Sequence, residues 1–231
     1  MPLQTNKYKL YLYLFFFIFL TSIFNFKILD NYQEKFSLKK IYIYGLSNNE
    51  KQSIEIELNK LRNINIFKLT EDRVLKTLKK FNFLENIYVN KVIPSTININ
   101  LSKTLIIGKT LRNGEYFYIG KNGNFIKSNQ LNETINLPSV FGEFRIEEYI
   151  DLQNILSENE VDLQNIEKYF YYKNKRWDLL FSNKLTLMLP SQNVAKSIKI
   201  YKKLLDSDNL INKKIIDLRI INQIILTNYN E

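Results

Sequence analysis

An uncharged run from Leu10 to Phe26 constrains this chain more than any other part of its sequence. The run contains 17 residues and has a lysine on each side, Lys9 and Lys27. As an α-helix it would extend about 25 Å at about 1.5 Å per residue, slightly less than the ~30 Å hydrocarbon core of a bilayer. Flanking lysines and local thinning of the bilayer absorb such a mismatch. The run therefore predicts a transmembrane helix at residues 10–27, preceded by a short tail at residues 1–9.

Two other interpretations of this run are weaker. A cleaved signal peptide requires small residues at its cleavage site, and the residues after Leu20 show no favourable small-x-small pattern. A buried core helix is disfavoured because the run lies at the terminus and is dense in aromatic side chains. Lysines lie on both sides of the run, so the positive-inside rule leaves its orientation open.

Composition restricts the chemistry available to the chain. The 231 residues include no histidine and no cysteine, which excludes Ser-His-Asp and Cys-His catalysis, disulfides and nearly every zinc site. The Ser-x-x-Lys spacing of Ser37 and Lys40 matches penicillin-recognising enzymes, but their companion motifs are missing. We therefore expect a protein that is not an enzyme, with no cofactor, no metal and no small-molecule substrate.

The net charge of +10 is typical of a lysine-rich solvated surface, and attraction to anionic lipid headgroups is the next interpretation. Nucleic-acid binding is disfavoured because no basic stripe with interleaved aromatic residues and no known binding module is present.

Residues 38–101 show one compact pattern. A strand at 38–44 ends at Gly45, and the Ser47/Glu50 spacing predicts a capping box at the start of a first helix. Thr70 is placed to cap a second helix. A strand at 83–92 follows and is closed by Pro94. The strict polar–apolar alternation of 96–101 predicts a last strand in an antiparallel or edge position. The order is therefore β-α-α-β-β, with both helices on one face of the sheet.

The remaining residues predict a mainly antiparallel β-domain with flanking helices. Asn113-Gly114 is a strong hairpin signal, and helices are expected at 147–156 and after Pro190. Trp177 is interpreted as a core anchor rather than a ligand platform. The residues from Ile220 to Asn228 predict a final strand, and a strand at a sheet edge offers free N–H and C=O groups to another chain.

Several short motifs resemble the FtsQ/DivIB family of bacterial cell-division proteins. They occur in the family's order behind the apolar run: Tyr44-Gly45-Leu46, Phe67 to Glu71, Val89 to Ile99, Leu137 to Gly142, Lys175 to Leu179 and Ile215 to Arg219. The resemblance implies an α+β fold with a single N-terminal transmembrane helix, a POTRA domain at 36–104 and a β-domain at 105–231. Gly45, Pro94 and Trp177 are the structural positions of these motifs.

The resemblance also implies a function. Family members are non-enzymatic scaffolds of the divisome in the bacterial inner membrane at the division septum, with a cytoplasmic N-terminus and a periplasmic body. Their β-domain binds FtsB and FtsL-like division proteins through its C-terminal edge strand, and they contact other divisome components. Carried over to this sequence, the partner-binding residues are Asp217, Arg219, Ile220, Asn222, Ile224 and Leu226. The last four are expected on one face of the final strand.

Two alternatives stay open from the sequence. One is a POTRA-containing translocation or chaperone subunit, which would normally show repeated POTRA units or a membrane barrel. The other is a membrane-anchored cell-wall enzyme, favoured only by Ser37 and Lys40.

Overall fold

The computed structural model describes residues 7–22, 34–131, 136–206, 213–220 and 223–228. The chain divides into two compact units. The first comprises the chain up to Lys80 together with Asn86–Leu101, and the second comprises Phe81–Glu85 and the chain from Ser102 onward.

Helix α1 (Lys7–Ser22) contains most of the apolar run. Tyr8 and all side chains from Leu10 to Leu20 are more than half exposed, and the side chains from Leu10 to Leu20 are apolar or aromatic on every side of the helix. Among the helices of the described ranges, none has both the length and the hydropathy needed to cross a membrane. The predicted segment continues past Ser22 to residue 27, and its residues 23–27 lie outside the described ones.

Besides α1, the first unit contains a three-stranded sheet and two helices in the predicted order. Its elements are β1 (Lys40–Tyr44), α2 (Asn48–Leu58), a 3₁₀ turn (Asn59–Leu61), α3 (Glu71–Leu78), β2 (Leu84–Val92) and β3 (Thr96–Lys103). The strand order is β1-β3-β2, and β1 runs parallel to β3. The β-α-α-β-β prediction is confirmed.

Local capping fixes both helix starts. The backbone N–H of Ser47 donates to Glu50 Oε2 at 3.0 Å, and the N–H of Arg73 donates to Thr70 Oγ1 at 3.3 Å. The two helices then bury one apolar side each, through residues that include Ile54, Leu58, Val74 and Leu78.

Of the two positions predicted for the alternating strand, antiparallel or edge, the edge alternative is wrong. β3 lies in the centre of its sheet, between β1 and β2, rather than at an edge. Its alternation has another cause: Ile97 and Ile99 are buried on the side that the helices cover, while Asn98 and Asn100 lie on the opposite side. A central strand alternates in this way whenever only one face of its sheet is covered.

Two of the predicted structural positions lie at turns of this unit. Gly45 has φ +88°, and a Cβ there would overlap the carbonyl oxygen of Leu101, so only glycine fits. Pro94 lies between β2 and β3, in a cis peptide bond with Ile93.

The second unit is built on a nine-stranded sheet in the order β12-β11-β10-β9-β8-β7-β4-β5-β6. Its strands are β4 (Ile106–Arg112), β5 (Glu115–Gly120), β6 (Phe125–Lys127), β7 (Ser139–Phe141), β8 (Ile166–Tyr171), β9 (Trp177–Phe181), β10 (Thr186–Met188), β11 (Lys213–Asp217) and β12 (Ile225–Asn228). Its helices are α4 (Ile146–Glu158) and α5 (Val194–Asp206).

The sheet is mixed rather than uniformly antiparallel. Five of its eight neighbouring pairs are antiparallel, while β4–β7, β7–β8 and β10–β11 are parallel. Two of the parallel pairs have a physical reason in the chain itself, because α4 connects β7 to β8 and α5 connects β10 to β11. A helical crossover returns the chain to the same end of the sheet and so produces a parallel neighbour.

A single aromatic-rich core fills the second unit. Trp177 is 5% exposed and packs against Tyr171 with ring centroids 4.7 Å apart, as expected for a core anchor. Tyr149 of α4 donates its hydroxyl to the Ile107 carbonyl at 2.9 Å, which ties the helix to β4. Burial raises the pKa of the Tyr149 hydroxyl well above its ordinary value.

Gly142 and Gly114 provide a matched test of this packing. Both have positive φ, but a Cβ on Gly142 would overlap the Tyr171 carbonyl oxygen, whereas a Cβ on Gly114 would meet open space. Gly114→Ala is expected to cost about 1–2 kcal/mol, the penalty of a left-handed conformation for a residue with a Cβ. Gly142→Ala adds a backbone clash and is expected to cost clearly more. Denaturant unfolding, followed by the fluorescence of Trp177, the only tryptophan, measures the free energy of unfolding of both variants. Equal losses of stability in the two variants would contradict the packing at Gly142.

Candidate partner-binding edge

Strand β12 forms one edge of the nine-stranded sheet. It pairs antiparallel with β11, with Asp217 opposite Ile225 and Ile216 opposite Leu226. No strand of the described residues pairs with the other side of β12. From Ile225 to Thr227, the backbone groups on that side are therefore a template for further hydrogen bonds.

The edge strand is shorter than predicted. β12 begins at Ile225, so Leu226 lies in the strand while Ile220 and Ile224 precede it, and Asn222 lies outside the described residues. The predicted strand from Ile220 is wrong for a topological reason. An antiparallel neighbour of β11 requires the chain to reverse direction between Asp217, where β11 ends, and Ile225, where β12 begins.

A carboxylate–guanidinium pair begins the reversal. Arg219 donates to Asp217 three times: from its backbone N–H to Oδ1 at 3.0 Å, from Nε to Oδ1 at 2.8 Å and from Nη2 to Oδ2 at 2.5 Å. Such bidentate, charge-assisted contacts fix orientation as well as adding energy. We call this pair the corner pair. The hydrogen bonds from Arg219 hold the pKa of Asp217 below its ordinary value of 3.8.

A second acidic residue lies beside the corner pair and was missed by sequence reasoning as a functional candidate. Asp178 on β9 is in register with Met188 on β10, which is in register with Asp217. Asp178 is 4% exposed, and burial raises the pKa of its carboxyl group, against the opposing effects of Tyr172 and Arg176. Its one sequence signal was a charge inside an otherwise apolar strand.

The contact of Asp178 with Arg176 is loose. Arg176 Nε lies 3.9 Å from Asp178 Oδ1, and neither atom has a hydrogen-bond partner among the described residues. The Arg176 guanidinium lies 4.3 Å from the centroid of the Tyr172 ring. The two carboxyl groups therefore differ. The surroundings of Asp217 stabilise its charged form, whereas the surroundings of Asp178 destabilise its charged form.

A recess of about 340 Å³ adjoins the reversal. The apolar residues that line the recess come from three parts of the chain: the segment before α5, α5 itself and the segment between β11 and β12. They are Pro190, Ile200, Leu218, Ile220 and Ile224. Ile220 and Ile224 are 51% and 46% exposed. The recess can accept an apolar side chain that approaches along the sheet edge.

The two sides of β12 differ in chemistry. Leu226 faces the helices and packs against the core, whereas Ile225 is 46% exposed on the opposite side. A strand that pairs with β12 would extend an apolar row on the helix side, continuing Leu179, Leu187, Ile216 and Leu226.

The residues considered for chemistry have structural contacts. Ser37 is 9% exposed, and its hydroxyl donates to the Glu34 carbonyl oxygen at 2.8 Å. Within the described ranges, no group of three or more acidic side chains could hold a metal ion.

Comparisons with known proteins match both units. Residues 36–103 match the FtsQ-type POTRA domain, and residues 110–219 match the C-terminal domain of cell division protein FtsQ/DivIB. The chain is 27% identical over 196 residues to a cell division protein FtsQ from Rickettsia bellii, and 26% identical over 206 residues to one from Rickettsia conorii. Each alignment covers 84% of this chain and 73% of the relative.

A solved structure is also similar: the major extracytoplasmic domain of the bacterial cell division protein DivIB from Geobacillus stearothermophilus. The likeness covers 47% of this chain and 96% of that chain, at 13% identity and a TM-score of 0.34.

The opposite pKa shifts of Asp217 and Asp178 can be tested by measuring how the stability of variants at these positions depends on pH. Asp217→Asn removes charge-assisted hydrogen bonds and is expected to lower the free energy of unfolding by about 2 kcal/mol at pH 7. Because the pKa of Asp217 is lowered from 3.8, its stabilisation is present above that value and is lost as the pH falls through the lowered pKa. The gap between the wild type and Asp217→Asn should therefore close in acid.

Asp178→Asn is the matched control. A raised pKa means that the charged form of Asp178 opposes folding at neutral pH, so this variant is expected to be at least as stable as the wild type at pH 7. Unfolding curves across the acidic range distinguish the two variants. A loss of stability in Asp178→Asn equal to that in Asp217→Asn would contradict the assignment.

Proposed function

Because the chain belongs to the FtsQ/DivIB family of cell division proteins, we propose that it is a non-enzymatic divisome scaffold that binds FtsB and FtsL-like division proteins. The partner adds a strand to β12. The single observation that carries this proposal is the position of β12 at the edge of the sheet, where no second strand of the described residues pairs with it.

Strand addition suits the chemistry of this edge. Main-chain hydrogen bonds supply affinity, and alternating side chains supply selectivity. Leu226 and the recess offer apolar contacts on the helix side of an added strand. The selectivity then rests on an apolar side chain of the partner that enters the recess between Ile220 and Ile224.

The other residues assigned to the partner site act in two ways. Asp217 is 9% exposed and forms the corner pair, so its role is to position the reversal. Arg219 keeps part of its side chain exposed and is placed to contact a partner. Asn222 is retained as a contact on the family resemblance alone.

The apolar segment at residues 10–27 anchors the protein in the inner membrane. Support comes from the uncharged sequence and from the exposed apolar side chains on every side of α1, an arrangement that water does not favour. Residues 1–9 are cytoplasmic, and the POTRA domain (36–104) and β-domain (105–231) are periplasmic. The scaffold acts at the division septum, where it links early and late division proteins.

The partner site is tested by Ile220→Ala and Ile224→Ala. Both side chains are exposed, so truncation changes stability little, while loss of an apolar anchor in the recess is expected to weaken binding about tenfold or more. Leu111→Ala is the matched control because Leu111 is 51% exposed on β4, away from β12. The measurement is the affinity of the full chain for the FtsB and FtsL-like proteins. Unchanged affinity in both isoleucine variants would rule out the recess as part of the partner-binding site.

The anchor is tested by Leu14→Arg combined with Phe17→Arg. Two charges in the middle of the apolar run oppose insertion, by roughly 3 kcal/mol each, so the variant is expected to leave the membrane fraction. Leu111→Arg is the control and should stay there. Retention of the double variant after alkaline extraction would argue against a spanning segment.

A further inference from the structure

Helix α5 carries a row of lysines on its outer side. Lys196, Lys199 and Lys203 follow one another at spacings of three and four residues, which places them on one face of the helix. All three are exposed, whereas Ile198 and Tyr201 on the inner side are buried in the core. We call these three residues the lysine row.

The lysine row is not neutralised by the protein. None of its three ammonium groups forms an ion pair with a carboxylate of the described residues, whereas the neighbouring Lys202 lies 3.5 Å from Glu160 Oε2. Asp206 is the only acidic residue in the sequence of α5. Like charges at these spacings disfavour a helix in isolation, so an anionic surface that covers the row would relieve a repulsion.

We propose that the lysine row lies against the anionic headgroups of phospholipids. Lysine is a compact charge on a flexible stem and suits a diffuse anionic surface, whereas fixed recognition of a carboxylate favours the planar fork of arginine. The row places positive charge along two turns of one exposed helix face. An anionic bilayer attracts positive charge that lies close to its surface, without requiring a fixed geometry. The lysine row supplies such charge.

This contact goes beyond the strand-addition site and uses different residues. Lys196 also lines the recess, but Lys199 and Lys203 do not. An apolar segment that holds the chain on a bilayer would raise the local concentration of headgroups around the body. The lysine row then adds a second, charge-dependent attachment.

The test is co-sedimentation of the full chain with vesicles. One set contains phosphatidylcholine alone, and the other contains roughly one-third phosphatidylglycerol as the anionic lipid. Binding to the neutral vesicles measures the contribution of the apolar segment. The gain, meaning the increase in affinity on the anionic vesicles over the neutral ones, measures the contribution of electrostatic attraction. Lys199→Glu combined with Lys203→Glu is expected to reduce that gain roughly 25-fold, about fivefold for each lysine. High salt should remove the gain in the wild type.

Lys121→Glu combined with Lys173→Glu is the matched control, because it makes the same change in net charge at exposed positions outside α5. The gain should survive in this control. An equal loss in both double variants, or no gain on anionic vesicles, would overturn the proposal. An unchanged gain with weaker binding of the FtsB and FtsL-like proteins would also overturn it, in favour of an acidic protein partner. Weak binding to neutral vesicles would count against the anchor alone.

Discussion

The interaction on which the candidate site depends is the corner pair of Asp217 and Arg219. β11 is held on one side by β10 through parallel pairing, and the chain must then turn back to form β12. The carboxylate of Asp217 binds both the backbone and the side chain of Arg219, so the direction in which the chain leaves β11 is fixed by hydrogen bonds. Without that turn, the residues after Arg219 would extend beyond the sheet and offer no paired strand at its edge.

The sheet order explains why the site lies where it does. α4 and α5 provide crossovers that place β8 beside β7 and β11 beside β10, and β12 is added last, outside all of them. Leu179, Leu187 and Ile216 on the preceding strands are fully buried, and Leu226 of β12 packs against the same core. A four-residue strand at the edge of the sheet is a weak structure by itself and a good template for a partner.

Local signals predicted the first unit well and the second unit only in part. Caps at Ser47 and Thr70, the hairpin turn at Asn113 and the burial of Trp177 depend on neighbouring residues or on side-chain size, and sequence shows both. The central position of β3 and the three parallel pairs depend on which strands meet across the chain, which alternation does not encode. The change of direction between β11 and β12 was missed because Ile220 and Ile224 resemble residues of a strand. Asp178 was missed because its neighbours come from other strands.

The most direct measurement of the central claim is amide hydrogen exchange of residues 225–228, in the full chain alone and with the FtsB and FtsL-like proteins bound. Neighbouring amides of a strand point to opposite sides, so those that face β11 are protected in both states. The account predicts that the remaining amides among Ile225, Leu226 and Thr227 exchange freely in the unbound protein and become protected in the complex. A partner that binds tightly while those outward amides continue to exchange at the unbound rate would contradict strand addition.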